Sequence, residues 1–173
     1  MAVLVGGASM FCAITTASRA FAGSGSELDP TCSVVNRAYA ATRSTETYSA
    51  KVFGVEDGRQ TLNHEYRVTA DMQFERYADG VERHGVRKAA PPLSYHSGPR
   101  FASCQLVKDK ASAASANAHY TAKWASVPYT ADAAVWLTDD GQKMKKVVLR
   151  YHSSYMRPSR FPEHLEIFSY ESP

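Results

Sequence analysis

The sequence lacks every short motif that would assign a reaction. It holds no G-x-S-x-G segment, no glycine-rich phosphate loop and no H-E-x-x-H pair. Its six histidines are scattered, and no two lie at metal-ligand spacing with a carboxylate beside them. We therefore predict no catalytic residue, no metal and no cofactor. A hydrolase is the alternative, and it would need a histidine, a carboxylate and a nucleophile to meet in one cleft.

The chain also has little excess of either charge. Lys and Arg number 20 against 17 Asp and Glu, which gives a formal net charge of +3. A nucleic-acid surface usually shows a basic patch or stripe. The nearest approach here is Lys143, Lys145 and Lys146, three lysines that fit a solvated strand and turn. We expect no nucleic-acid partner.

Long apolar stretches are confined to the N-terminal two dozen residues. No charge precedes Arg19, and Ala20-Phe21-Ala22 places small residues where a signal peptidase reads. This pattern predicts a signal peptide over 1–22, one domain over 23–173 and a periplasmic or secreted location. No basic residue follows Met1 directly, so a buried N-terminal helix is the alternative. The stretch is shorter than the roughly 20 apolar residues of a membrane helix, and we expect no span in the mature chain.

Cysteine is scarce as well. The chain has three, and cleavage after residue 22 would remove Cys12 and leave Cys32 and Cys104. Two cysteines in an exported chain normally form a disulfide, which here would tie the first mature helix to the middle of the sheet. Two buried free thiols are the alternative.

Signals for regular structure are present along the rest of the chain. Asp29-Pro30 is a good helix start, and apolar residues then recur at helical spacing to about Arg43. Asp140-Gly141 between two β-rich runs predicts a hairpin. From Leu62 to Phe74 every even position is apolar apart from His64, which predicts one long bent strand with one wet face. A three-residue corner near Thr69 is the alternative.

Aromatic residues are plentiful, with ten Tyr and two Trp. The alternation places a set of them on one face of the strands, where they could line a ligand cavity. Core and rim packing is the other explanation. His64 falls on the same face, either as a core histidine bonded to a carbonyl or a Tyr hydroxyl, or as part of the pocket. The predicted ligand-binding residues are Tyr48, His64, Tyr66, Tyr120 and Trp124.

The order of elements resembles the LolA/LppX-like periplasmic lipoprotein carriers. The residues that carry the resemblance are Trp136-Leu137-Thr138-Asp139-Asp140-Gly141, followed by Lys145, Lys146 and Val147. The resemblance implies a strongly curved antiparallel sheet around a helix, with an apolar ligand or acyl chain between them. We therefore predict an α+β fold, in which an N-terminal helix packs on one face of a curved, half-barrel-like antiparallel sheet.

Two functions follow as expectations. The first is non-enzymatic binding of an apolar or lipid-like ligand between helix and sheet. The alternative is a periplasmic protein-interaction module, such as an inhibitor or an envelope-assembly factor, with an envelope protein as partner. The module would use the polar face of the sheet or the loop from Tyr155 to Pro162.

Overall fold

The computed structural model of the protein describes residues 28–89, 93, 99–108, 118–153 and 157–170. The predicted signal peptide and Tyr155 lie outside the described residues. A short 3-10 helix (Pro30–Cys32) leads into one α-helix, α1 (Ser33–Ser44). The strands among the described residues are β1 (Tyr48–Glu56), β2 (Arg59–Val68), β3 (Met72–Tyr77), β4 (Glu82–Val86), β5 (Arg100–Leu106), β6 (His119–Ser126), β7 (Tyr129–Leu137), β8 (Met144–Tyr151) and β9 (Glu163–Ser169).

All strands form one antiparallel sheet in the order β4-β3-β2-β1-β9-β8-β7-β6-β5. Two meanders, β1 to β4 and β5 to β8, are joined by β9, which lies between β1 and β8. The end strands β4 and β5 do not pair with each other, so the described sheet is open. The predicted α+β fold, a curved antiparallel sheet with an N-terminal helix on one face, is confirmed.

Helix α1 packs mainly against β5, β7 and β8. Val35 and Ala38 are almost fully buried there, against strand residues such as Val135 and Leu137. We call the side of the sheet that faces α1 the inner face and the opposite side the outer face. The predicted start of the helix is confirmed in part, because Asp29 caps the 3-10 helix and α1 begins at Ser33.

Buried polar groups fix α1 at a second point, near its C-terminal end. The Thr42 hydroxyl accepts from the Met144 N–H at 2.8 Å, and the Tyr170 hydroxyl donates to the Met144 carbonyl at 2.5 Å. These backbone groups need side-chain partners because Lys145 bulges out of the register between β7 and β8. Thr42 and Tyr170 lie 2.9 Å apart, which closes the network.

The predicted disulfide between Cys32 and Cys104 is present. It joins the end of the 3-10 helix to β5, across 72 residues of sequence. Because β5 is an end strand of the described sheet, the predicted attachment to the middle of the sheet is wrong. Together with Thr42, the disulfide anchors α1 to the half of the sheet built from β5 to β8.

The prediction of one long strand from Leu62 to Phe74 is wrong. Three residues, 69–71, separate β2 from β3, as in the alternative, but Tyr66 pairs with Glu75 and Arg67 with Phe74. Phe74 is therefore on the outer face and Glu75 on the inner face. Inner-face polar residues are tolerated in β3 because Gln73 and Tyr77 donate to the Glu75 carboxylate at 2.6 and 2.8 Å.

A β-bulge separates two further residues that the alternation placed on one face. Val52 pairs with His64 and Phe53 with Leu62, so the register shifts by one residue between them. Leu62 lies on the outer face and His64 on the inner face.

The hairpin predicted at Asp140-Gly141 joins β7 to β8. Gly141 has a φ of +69°, a conformation that favours glycine. The Asp140 carboxylate accepts from the Thr138 hydroxyl and the Gln142 N–H. These hydrogen bonds, with Thr138 the largest cause, lower the pKa of the Asp140 carboxyl.

Candidate functional site

The five predicted ligand-binding residues all lie on the inner face but fall into two groups. Tyr48, Tyr66 and His64 lie together, with ring centroids 6.0 Å apart for the tyrosine pair and 6.1 Å for His64 and Tyr66. Tyr120 and Trp124 lie on β6, several strands away. They pack against the core beneath α1. The structure therefore brings together only the first group.

An ion pair lies beside this first group. Arg43 Nη2 of α1 is 3.5 Å from Glu166 Oε1 of β9. Arg43 Nη1 donates to the Tyr66 hydroxyl at 3.0 Å and to the Tyr48 hydroxyl at 3.4 Å, and the Tyr66 hydroxyl donates to Glu166. These four residues are called the Arg43 cluster.

Aromatic rings surround the Arg43 guanidinium. Its central carbon lies 5.3 Å from the ring centroid of Tyr39 and 5.9 Å from those of Tyr66 and Phe168, within cation–π range. The Arg43 side chain nevertheless keeps 26% of its surface exposed. The cluster is therefore a charged and aromatic patch at the border of the core.

Burial and charge set the protonation states of this cluster. Burial raises the pKa of the Tyr66 phenol well above its ordinary value; Glu166 adds to the rise and Arg43 partly offsets it. Burial opposes the charge on Arg43, but the Glu166 carboxylate and the tyrosines outweigh it and hold the Arg43 pKa well above its ordinary value. Near neutral pH the site therefore presents the charged Arg43 guanidinium and the neutral Tyr66 phenol.

His64 adjoins the cluster on β2. Its ring stacks on that of Tyr66 in the same strand and lies 5.5 Å from the ring of Tyr77 in β3. His64 Nδ1 is buried and has no hydrogen-bond partner in the described part of the chain, and the same holds for Arg43 Nε. The predicted bond from a core histidine to a carbonyl or Tyr hydroxyl is therefore not made at Nδ1. Buried polar atoms without a protein partner are places where water or a polar ligand group binds.

A serine and a histidine meet on the same inner face, where His164 lies two residues from Glu166 along β9. Ser159 Oγ and His164 Nε2 are 2.5 Å apart, and Ser159 Oγ accepts from the Phe161 N–H at 3.2 Å. Burial lowers the pKa of His164, the nearby His64 adds to the effect and Glu166 opposes it. No described carboxylate hydrogen-bonds to this imidazole. The hydrolase alternative therefore lacks its third member here.

Sequence reasoning missed Arg43 and Glu166. Arg43 lies four residues after Tyr39 and so continues the apolar stripe of the helix, which is the one signal that marked it. No sequence signal marked Glu166, because odd and even positions of β9 both carry apolar residues and the alternation does not show which face is buried.

The outer face carries a groove of about 440 Å³ across β1 to β4. Its floor is the backbone of Ala50, Tyr66, Glu75 and Arg83, which are paired from strand to strand. The side chains that point outward on either side form its walls. One wall is Ser49, Arg67, Phe74 and His84; the other is Lys51, Glu65, Arg76 and Glu82.

The two walls differ in charge. Lys51 and Arg76 both pair with Glu65, at 3.3 and 3.4 Å. Glu82 adds a second carboxylate, so the charges of the second wall nearly cancel. Arg67 of the first wall lies over the Phe74 ring at 4.9 Å and pairs with no carboxylate among the described residues. The groove therefore presents one unneutralised guanidinium beside an aromatic ring.

Among the described residues, no three His, Cys, Asp or Glu side chains are grouped so that they could hold a metal ion. None of the described helices is long and apolar enough to cross a membrane.

Comparison with known proteins gives a likeness in structure. No family model and no curated protein matches the sequence. The fold is similar to that of a LolA superfamily protein from Nitrosomonas europaea, with 9% identity and a TM-score of 0.36, over 83% of this chain and 94% of that one. That superfamily is the one to which the sequence was likened.

Proposed function

We propose that the protein is an exported, non-enzymatic binding protein that holds an apolar or lipid-like ligand against the inner face of its sheet. The observation that supports this is a mismatch between helix and sheet. A 12-residue helix is roughly 18 Å long, whereas nine strands span roughly 38 Å. Helix α1 packs mainly on β5, β7 and β8, and it reaches the aromatic part of the inner face over β1, β2 and β9 through Arg43 near its C-terminal end.

The chemistry of that area favours a ligand with one polar group. Tyr48, Tyr66 and Phe168 supply aromatic side chains that are buried in the core. Arg43 Nε and His64 Nδ1 supply buried polar atoms that lack partners in the described part of the chain. A mainly apolar molecule with a carboxyl or hydroxyl end would satisfy both features.

The disulfide supports an exported location. Disulfides persist in oxidising compartments and are rare in the cytosol. Together with the A-x-A site of the predicted signal peptide, Cys32–Cys104 favours the periplasm or the cell exterior.

The test is native mass spectrometry of the purified protein, followed by titration with a fluorescent fatty-acid probe. We expect co-purifying lipid or saturable probe binding. Tyr66→Ala should weaken probe binding about tenfold, the loss of about 1.4 kcal/mol, and Tyr66→Phe should keep the fold and most of the affinity. Phe74→Ala is the matched control, because Phe74 lies on the outer face of the same hairpin. Absence of both lipid and probe binding would contradict the proposal.

The second candidate is the protein-interaction module, which the groove on the polar outer face favours. Its partner would contact Arg67 and Phe74. Pull-down from an envelope extract with the Arg67→Ala protein beside the parent separates the two functions. Loss of a specific partner with unchanged probe binding would support the module.

A further inference from the structure

The two edges of the sheet are treated differently. At the β5 edge, the Ser103 N–H donates to Asp29 Oδ2 at 2.7 Å, and the Cys104 N–H donates to Thr31 Oγ1 at 3.2 Å. The Asn36 side chain bonds to both the N–H and the C=O of Phe101. The segment that leads into α1, together with α1 itself, therefore caps this edge.

No described residue caps the β4 edge in this way. All five residues of Glu82–Val86 are exposed, and Val86 keeps 78% of its surface. The strand contains no proline, and its register with β3 is continuous. Proline, bulges and covering loops are among the devices that block an exposed edge. β4 has neither proline nor bulge, and no loop within the described part of the chain covers it.

The hydrogen bonds at each end of β4 show which backbone groups point away from the sheet. Arg87 N–H donates to the Asp71 carbonyl at 2.8 Å, and Tyr77 N–H donates to the Val81 carbonyl at 2.9 Å. Odd-numbered residues of β4 therefore bond to β3. By the alternation of an antiparallel ladder, the N–H and C=O of Glu82, His84 and Val86 point to the open edge.

We propose that β4 pairs antiparallel with β4 of a second copy of this chain, about a two-fold axis at His84. In this register, Glu82 faces Val86 of the other copy, and His84 faces its own equivalent. Arg83 faces Gly85, whose missing side chain leaves open space. The strand is thus complementary to itself, as a two-fold interface requires.

The neighbouring registers are disfavoured by like charges. Pairing His84 with Glu82 of the other copy sets Arg83 against Arg83. Pairing His84 with Val86 sets Arg83 against Arg87. Like charges directly opposite each other destabilise strand pairs.

The outer face supports the same register. Arg67, Phe74 and His84 form a stacked row across β2, β3 and β4, with 6.5 Å between the Phe74 and His84 ring centroids. The far side of His84 lies at the open edge. A second His84 would continue the row into the other copy.

The experiment is sedimentation velocity of the purified chain over a concentration series. We expect a reversible dimer. His84→Lys and His84→Glu each place like charges at the axis and should weaken the dimer at least tenfold. An equimolar mixture of the two variants should restore it as a heterodimer. Gln60→Lys, which makes the same charge change on an exposed position of β2, should leave it unchanged.

A monomer at every concentration overturns the proposal. So does a dimer that both His84 variants leave intact, or a variant mixture that stays monomeric while each variant keeps the parent's circular dichroism. Tyr66→Ala, which targets the inner face, should not alter the dimer. Failure of the ligand-binding proposal is therefore distinguishable from failure of this one.

Discussion

The Asn36 carboxamide and the Phe101 peptide group exchange two hydrogen bonds. Phe101 N–H donates to Asn36 Oδ1 at 3.0 Å, and Asn36 Nδ2 donates to the Phe101 carbonyl at 3.1 Å. This is the pattern that a neighbouring strand would make with β5. A helix side chain thus stands in for a strand. Both groups are buried, so the contact fixes where α1 lies on the sheet.

Replacing Asn36 with Ala should destabilise the protein by about 1–3 kcal/mol, because two buried backbone groups of Phe101 lose their partner. Urea unfolding followed by circular dichroism measures the loss. Arg37→Ala is the matched control, since Arg37 is the exposed neighbour on the same helix. Equal losses for both variants would contradict a specific role for the Asn36 amide.

Removal of the Cys32–Cys104 disulfide should lower the free energy of unfolding by roughly 2–4 kcal/mol, because the bridge constrains a long loop of the unfolded chain. Unfolding of the Cys32→Ala/Cys104→Ala variant, compared with the oxidised parent, measures this. Adding reductant to the parent should reproduce the effect and should not affect the variant.

Gly54 and Phe161 should be energetically coupled. A Cβ atom on Gly54 would overlap the Phe161 ring, which lies directly over it. We expect Gly54→Ala to cost about 1–3 kcal/mol through overpacking. Phe161→Ala should cost about 3 kcal/mol through lost packing. In the double variant, the Gly54→Ala change should cost much less; additive losses would contradict the contact.

Stability should depend on pH through His164. Its pKa is lowered in the folded state, chiefly by burial, from an unfolded value of about 6.5. As pH falls below about 6.5, the unfolded chain binds more protons than the folded chain. The free energy of unfolding is therefore highest above that pH and decreases as pH falls toward the folded pKa of His164. Urea unfolding between pH 5 and 7.5 should show this slope. His164→Gln should flatten it, and a slope that survives the substitution would belong to another group.

The features that short-range chemistry dictates could be predicted from the sequence. The Asp140-Gly141 hairpin needs a residue that adopts positive φ, the helix start needs Asp29, and two cysteines in a chain that is predicted to be exported are expected to pair. The strand from Leu62 to Phe74 could not be predicted in this way. Its alternation continued through a corner and a bulge that each exchanged the two faces. β3 lies at the margin of the sheet and is only partly buried. Polar residues can therefore occupy its inner face and apolar residues its outer face, and the alternation alone does not show which face is which.

The candidate site was predicted only in part, because local alternation shows which residues share a face but not which strands are neighbours. Tyr48, His64 and Tyr66 share a face by local alternation and meet on adjacent strands. Their grouping apart from Tyr120 and Trp124 depends on β9 entering between β1 and β8, which no local pattern records. The Arg43–Glu166 pair depends on that same insertion.

The position of β9 also bears on the order of folding. Ser49 pairs with Ser169, and Arg150 pairs with Glu163, so the latest strand of the described chain is the central one. The two meanders can each form hairpins early, but they cannot join until β9 has been synthesised. Contacts so distant in sequence are slow to form. The complete sheet therefore cannot assemble progressively from its N-terminal end, and an emerging chain keeps two separate half-sheets until β9 has emerged.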